Sequence, residues 1–176
     1  MNGNWDKSFE YLLASEGGYV AHEADPGGRT NLGVTQAVWE SWVGRASNEK
    51  EMRSLTPAQV EPLYKKKYWD ACKCDELPTG LDYLVFDFAV NAGVGRAIKT
   101  LQSCVGATQD GAIGPKTLQA IMVCSKDDLI NKFSAAKETY YRSLPTFAVF
   151  GKGWLNRIQE AKCRTLLLSA NNTGIG

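Results

Sequence analysis

Histidine is nearly absent: His22 is the only one in 176 residues. Zinc sites draw on clustered cysteine and histidine, so a structural zinc site is not expected. Cysteine does not fill the gap. The five cysteines, at 72, 74, 104, 124 and 163, are odd in number, and Cys72-x-Cys74 is shorter than the usual paired zinc-ligand spacing. They read as reduced, mostly packed thiols, which fits synthesis in a cytoplasm. Neither a metal nor a cofactor is expected.

An excess of one charge is also missing. Twenty Lys and Arg face nineteen Asp and Glu, a net charge of +1. No broad field draws the chain to nucleic acid or to an anionic membrane, and no concentrated basic helix supports a helix-turn-helix DNA binder. There is no low-complexity segment, no internal repeat and no apolar run long enough to span a bilayer, so membrane insertion is not expected. The opening residues, MNGNWDKSFEYLLASEGG, lack the basic start and apolar core of a signal peptide, which predicts cytoplasmic synthesis.

What is present is a globular composition, 44% hydrophobic and 22% charged, of a length suited to one domain or two small lobes. Helical periodicity dominates. Phe9, Leu12 and Leu13 share a face over residues 7–16, with Gly17-Gly18 expected to stop that helix in the left-handed conformation. Thr35 caps a helix carrying Val38, Trp39 and Trp42, stopped by Gly44. Thr56-Pro57 opens another with Val60, Leu63, Tyr64 and Tyr68, kinked at Pro62. Leu81, Leu84, Val85 and Phe88 mark a helix ending near Gly93. Further helices follow at 96–105, from Pro115 through Met122, and near 126–143 and 153–169. The fold class is mainly α with a small α+β element: about eight helices and one irregular β-hairpin, in two lobes flanking a cleft.

The hairpin region is the exception to the helical pattern. Residues 16–35 hold five glycines, the histidine, two glutamates and an aspartate. Tyr19-Val20 and Asn31 to Val34 read as short strands, with a turn at Asp25-Pro26-Gly27-Gly28 between them. Glu16 continues the apolar face of the first helix and lies at its C-terminal end. Both surroundings disfavour an anion. Glycoside hydrolysis needs one carboxyl that donates a proton to the leaving oxygen, and commonly a second that handles water or positive charge. A hairpin folded back over the helix end brings Asp25 and Thr30 towards Glu16. Asp25 also fits a turn aspartate bonding its own backbone, and Thr30 a hairpin hydrogen bond. His22 fits a solvated loop position.

The sequence resembles a known family at these residues. Glu16-Gly17-Gly18-Tyr19-Val20, then Asp25-Pro26-Gly27-Gly28-x-Thr30-Asn31-x-Gly33-Val34-Thr35, is similar to the N-terminal signature of the glycoside hydrolase family 108 muramidases. These are phage endolysins and bacterial relatives with a lysozyme-like helical fold. The resemblance runs on through Tyr64-x-x-x-Tyr68-Trp69-Asp70, Leu77-Pro78 and Asp87-x-x-x-Asn91-x-Gly93. It continues through Leu101-Gln102, Asp110-Gly111-x-Ile113-Gly114-Pro115-x-Thr117-Leu118 and Gly153-Trp154-Leu155-Asn156-Arg157, a part that resembles the family's predicted peptidoglycan-binding domain. Three departures stand out. Glu23 occupies a place where proline is expected, Pro62 interrupts a helix, and the gap before Thr30 is one residue shorter than in phage-type lysozymes.

The resemblance implies that Glu16 is the catalytic acid, with Asp25 and Thr30 handling water, and that bacterial peptidoglycan is the partner. Tyr68 and Trp69 are candidates to line the cleft, or to pack. Asp87 and Asn91, four apart on one helix, are candidates to bind the glycan's N-acetyl groups, or to lock helices together. Lys65-Lys66-Lys67 reads as a solvated face. The expected organisation is a catalytic segment at 1–92 and a peptidoglycan-binding-like segment at 93–176, packed as one compact monomeric body. The expected activity is a muramidase causing lysis of the host cell. It is made in the host cytoplasm and reaches the periplasm and wall through a separate holin. A non-catalytic peptidoglycan-binding protein and a chitinase-like glycanase are the alternatives.

Overall fold

The computed structural model describes residues 3–21, 28–145 and 147–173. Among them, nine α-helices accompany one small three-stranded sheet. The chain runs α1 (Trp5–Ser15), β1 (Val20–Ala21), β2 (Arg29–Asn31), β3 (Val34–Thr35), α2 (Gln36–Val43), α3 (Glu49–Arg53) and α4 (Pro57–Tyr64). A π-helical turn, Lys65–Asp70, and a 3-10 turn, Cys74–Glu76, lead into α5 (Leu81–Ala92) and α6 (Val94–Val105). Then come α7 (Pro115–Met122), α8 (Lys126–Ser143) and α9 (Phe147–Thr173). The mainly α, lysozyme-like class expected from the sequence holds. None of the helices among the described residues is long and apolar enough to cross a membrane.

The chain forms two compact units. One is Asp6–Lys67; the other is Tyr68–Gly176 together with Met1–Trp5.

In the Asp6–Lys67 unit the sheet is antiparallel in the order β1-β2-β3. Asn31 to Val34, expected as one strand, is instead two strand ends joined by a reversal. Asn31 pairs with Val34 across it, and Leu32 and Gly33 have φ of +52° and +79°. Two central residues of positive φ give the turn whose twist matches that of paired strands. Asn31 is buried and ties β2 to α3, donating from Nδ2 to the Met52 carbonyl at 2.8 Å. Thr35 caps α2 by accepting from Val38 N, and Gly44 stops it at φ +76°. Asn48 caps α3 and Gln59 accepts from the Thr56 N–H at the start of α4. Phe9, Leu12, Trp39, Met52, Val60, Leu63 and Tyr64 form the core.

One local expectation fails here. Gly17 and Gly18 follow α1 without positive φ, so the helix ends in an ordinary bend that runs directly into β1. At Pro62 the interruption becomes a widening. Proline has no N–H for the Ala58 carbonyl, and within three residues the chain enters the π-helical turn.

In the second unit α5 is the central element. Every residue from Leu81 to Ala89 is buried, and the helix packs on α6, α8 and α9. A helix buried on all sides carries no solvent face. Its start is fixed by Asp82, whose carboxylate accepts from Gly80 N, Tyr83 N and Asn4 Nδ2. Trp5, Trp69 and Phe86 meet edge-to-face, with ring centroids 5.4 to 5.5 Å apart.

The turn after α6 is held by one buried side chain. Gln102 donates from Nε2 to Asp110 Oδ1 at 2.8 Å and to the Ala112 carbonyl at 2.9 Å, and accepts from Gly111 N at 3.1 Å. That network accounts for the joint presence of Leu101-Gln102 and the Asp110-to-Pro115 stretch in the sequence.

Candidate active site

Glu16 follows the last residue of α1, with its N–H bonded to the Leu12 carbonyl at 3.0 Å. Its side chain is half-buried. What covers it is the β2–β3 turn. A Cβ built on Gly33 would lie 2.8 Å from Glu16 Cγ, 2.9 Å from Glu16 Cδ and 2.5 Å from the Tyr64 hydroxyl. Only a residue without a side chain lets the turn sit this close to the carboxyl.

Tyr64 holds the turn from the other side. Its hydroxyl donates to the Leu32 carbonyl at 2.7 Å, and its ring, 1% exposed, packs against Phe9 with centroids 5.8 Å apart. A chain of contacts therefore runs from the α1 core face, through Tyr64 and the Leu32-Gly33 turn, to the Glu16 carboxyl. Sequence reasoning placed Tyr64 in packing and missed its hydroxyl's role. It also passed over Gly33, although a glycine inside a strand-like run is a recognised sign of a bend or close backbone approach.

Thr30 stands on the central strand, paired with Val20 on one side and Thr35 on the other. It is half-buried and faces opposite to Asn31, since alternate strand residues point to opposite faces. Asp25 lies outside the described residues, as do His22 and Glu23.

The remaining candidates lie in the second unit. Tyr68 is half-buried. Trp69 has no exposed surface; it sits in the aromatic cluster with Trp5 and Phe86 and donates from Nε1 to Asp75 Oδ1 at 3.0 Å. Asp87 is 1% exposed and both of its oxygens are engaged. Lys137 Nζ lies 3.2 Å from Oδ2, and an Arg157 terminal nitrogen 3.1 Å from Oδ1. This ties α5 to α8 and α9. Burial pushes the Asp87 carboxyl up, but the two cations outweigh it and hold it below its usual value. Burial lowers Lys137, with Asp87 opposing that shift. Asn91 is exposed and borders a cavity of about 180 Å³ shared with Tyr141, Trp154 and Arg157.

One other carboxylate is strongly set. Glu51 accepts two hydrogen bonds from Arg45, at 2.7 and 2.8 Å, and one from Trp39 Nε1 at 3.0 Å, and these hold it down at about 2. It braces α3 against α2 and the following loop. No group of three or more His, Cys, Asp or Glu among the described residues could hold a metal ion.

Two family models match the chain. Residues 9–93 match the one described as "Glycosyl hydrolase 108", and residues 96–159 the one described as "Predicted Peptidoglycan domain". A solved structure of SagA from Brucella abortus is 40% identical, with a TM-score of 0.88, and the match covers 96% of this chain and 97% of that one. A comparison with curated proteins gives no match. The first model covers Glu16, the β2–β3 turn and Tyr64 together, and the second covers the Gln102-centred turn. This chain belongs to the glycosyl hydrolase 108 family and is a glycoside hydrolase acting on peptidoglycan.

Proposed function

We propose that the protein is an endolysin-type muramidase that hydrolyses the β-1,4 bond between N-acetylmuramic acid and N-acetylglucosamine. The observation that carries this reading is the position of Glu16. Its carboxyl lies beneath the Leu32-Gly33 turn in the segment matched by the glycosyl hydrolase model. In the protonated form Glu16 gives its proton to the glycosidic oxygen as the bond to the anomeric carbon breaks. Asp25, with Thr30, guides the water that then adds to the oxocarbenium-like centre, and one proton returns to the Glu16 carboxylate. Tyr68 and Asn91 are the glycan contacts of this reading. The enzyme acts as a monomer, is made in the host cytoplasm and lyses the host once a separate holin opens the path to the wall.

The test is digestion of purified peptidoglycan followed by borohydride reduction and mass spectrometry. Muramitol at the new reducing ends is the expected result. Glucosaminitol ends, or no new ends at all, would overturn the muramidase assignment.

A further inference from the structure

A concave surface lies in the second unit, away from Glu16 in the sequence and lined almost wholly by residues matched by the peptidoglycan model. It is an open groove of about 720 Å³ between α6 and α8. Arg96, Lys99, Thr100 and Ser103 form one wall, and Thr139 and Tyr140 the other. No Asp or Glu of the described residues lines it. Its volume falls in the range of binding sites rather than of packing defects.

Both cations in the groove have a neighbour that positions them. The Arg96 guanidinium lies over the Tyr140 ring, 4.4 Å from its centroid. Lys99 runs its aliphatic stem across Gly111, whose φ is +78°. A Cβ there would approach Lys99 Cε to 3.4 Å. That turn is the one fixed by Gln102. Neither cation has a carboxylate partner among the described residues.

Peptidoglycan offers two chemistries: N-acetyl sugars, which bind through aromatic platforms, and stem peptides, which carry free carboxylates. The groove's one aromatic ring is already engaged on the face that Arg96 covers. Arg96 covers Tyr140, and Phe88 and Tyr141 pack against it at 5.6 and 5.5 Å. Two placed cations and a row of hydroxyls suit carboxylates and peptide amides instead. We propose that the α6–α8 groove binds the acidic stem peptide of peptidoglycan, with Arg96 and Lys99 receiving its carboxylates. This rests on peptidoglycan being the substrate, and it names which part of the polymer this surface holds.

The experiment uses the full-length Glu16→Gln chain and three probes: a synthetic stem tetrapeptide, the same peptide with its carboxylates amidated, and an N-acetylglucosamine tetramer. Affinity is measured by calorimetry, and the contact surface by backbone amide shifts. The free-acid peptide is expected to bind, shifting amides of α6 and α8, and more weakly as salt rises. Arg96→Gln and Lys99→Gln should each weaken it about three- to tenfold. Thr139→Glu, which places a negative charge in the groove, should abolish it. Melting temperatures are compared throughout, and all three positions are exposed. Equal binding of free and amidated peptide, binding of the sugar tetramer at this surface, or shifts confined to other helices would overturn the assignment. Wild-type digestion is followed in parallel. Peptide binding at the groove without glycan hydrolysis would overturn the muramidase reading and leave the groove supported. Hydrolysis without groove binding would do the reverse.

Discussion

Gly33→Ala is the sharpest probe of the site, because the atoms its methyl would strike belong to the proposed acid. The substitution has two effects. Gly33 has a φ of +79°, where a Cβ costs about 1–2 kcal/mol against the adjacent backbone. For a chain of this size that lowers the melting temperature by about 2–8 °C. The second effect is local. To reach an ordinary contact of 3.4 Å, Glu16 Cγ at 2.8 Å and the Tyr64 hydroxyl at 2.5 Å must retreat by about 0.6 and 0.9 Å.

The two side chains differ in their freedom to yield. Tyr64 is buried and bonded to the Leu32 carbonyl at 2.7 Å, whereas Glu16 is half-buried at a helix end. Because Tyr64 cannot yield, the Leu32-Gly33 turn must itself shift, and Glu16, the looser of the two side chains, is displaced with its cover. A misplacement near 1 Å of a reacting group costs about a hundredfold in rate. The expected signature is a modest stability loss with hydrolysis reduced about ten- to a hundredfold. Gly17→Ala is the control, since nothing lies within 4 Å of a Cβ there and its φ is not positive. Release of soluble muropeptides from purified walls measures the rate, and calorimetry the melt. If Gly33→Ala retains more than about half the wild-type rate, the turn does not govern Glu16 and the geometric argument is wrong.

Three further outcomes follow from the same structure. Glu16→Gln should fold as wild type and lose at least about a hundredfold in wall hydrolysis, because the amide has no proton to donate; a folded variant above a tenth of the normal rate would remove Glu16 from the mechanism. Asp87→Asn should cost about 3–5 kcal/mol by stranding Lys137 and Arg157. Adding Lys137→Met should recover part of that loss, and simple additivity of the two in chemical denaturation would show that the pair is not coupled. Glu51 is held at about 2 against an ordinary 4.5, so its favourable contribution is present above that ordinary value and fades as pH falls through the interval. Melting temperature should drop across that range, and Glu51→Gln should flatten the drop.

The sequence exposed the helices and the candidate acid but little of what holds them. Phe9, Leu12, Leu84, Val85 and Phe88 stood out because helical periodicity needs only a few turns of chain. α3 has five residues, too few for a period to show, and its presence was not foreseen. α5 looked one-sided because Asp82 and Asp87 break its apolar run, yet the structure buries both. Asp87 is neutralised by Lys137 and Arg157, 50 and 70 residues away, and Asp82 accepts from Asn4, 78 residues away; local pattern carries no signal over such separations. The Leu32-Gly33 reversal was hidden by Leu32, a residue type that rarely adopts φ of +52° and so does not announce a turn. The Glu16 environment follows from that turn, which is why the candidate acid was legible and its covering was not.

The family models and the packing divide the chain at different places, and a truncation separates them. The glycosyl hydrolase match ends at 93, whereas the compact units part between Lys67 and Tyr68. α5 belongs to the first by sequence and to the second by burial. A fragment of residues 1–92 keeps α5 but removes α6, α8 and α9, the helices it packs on. Leu81, Leu84, Val85 and Phe88, each without exposed surface in the intact chain, would then lose cover from those helices. Each such side chain is worth about 1.5–3 kcal/mol, so the loss is comparable to the roughly 5–15 kcal/mol that holds a whole domain folded. Asp87 adds to it by losing both cations. The fragment should therefore show no cooperative melt and no hydrolysis, and co-expression with residues 93–176 should restore both. A cooperative transition with retained activity in the fragment alone would mean that α5 does not depend on its helical neighbours, and that the hydrolase segment is autonomous despite the packing.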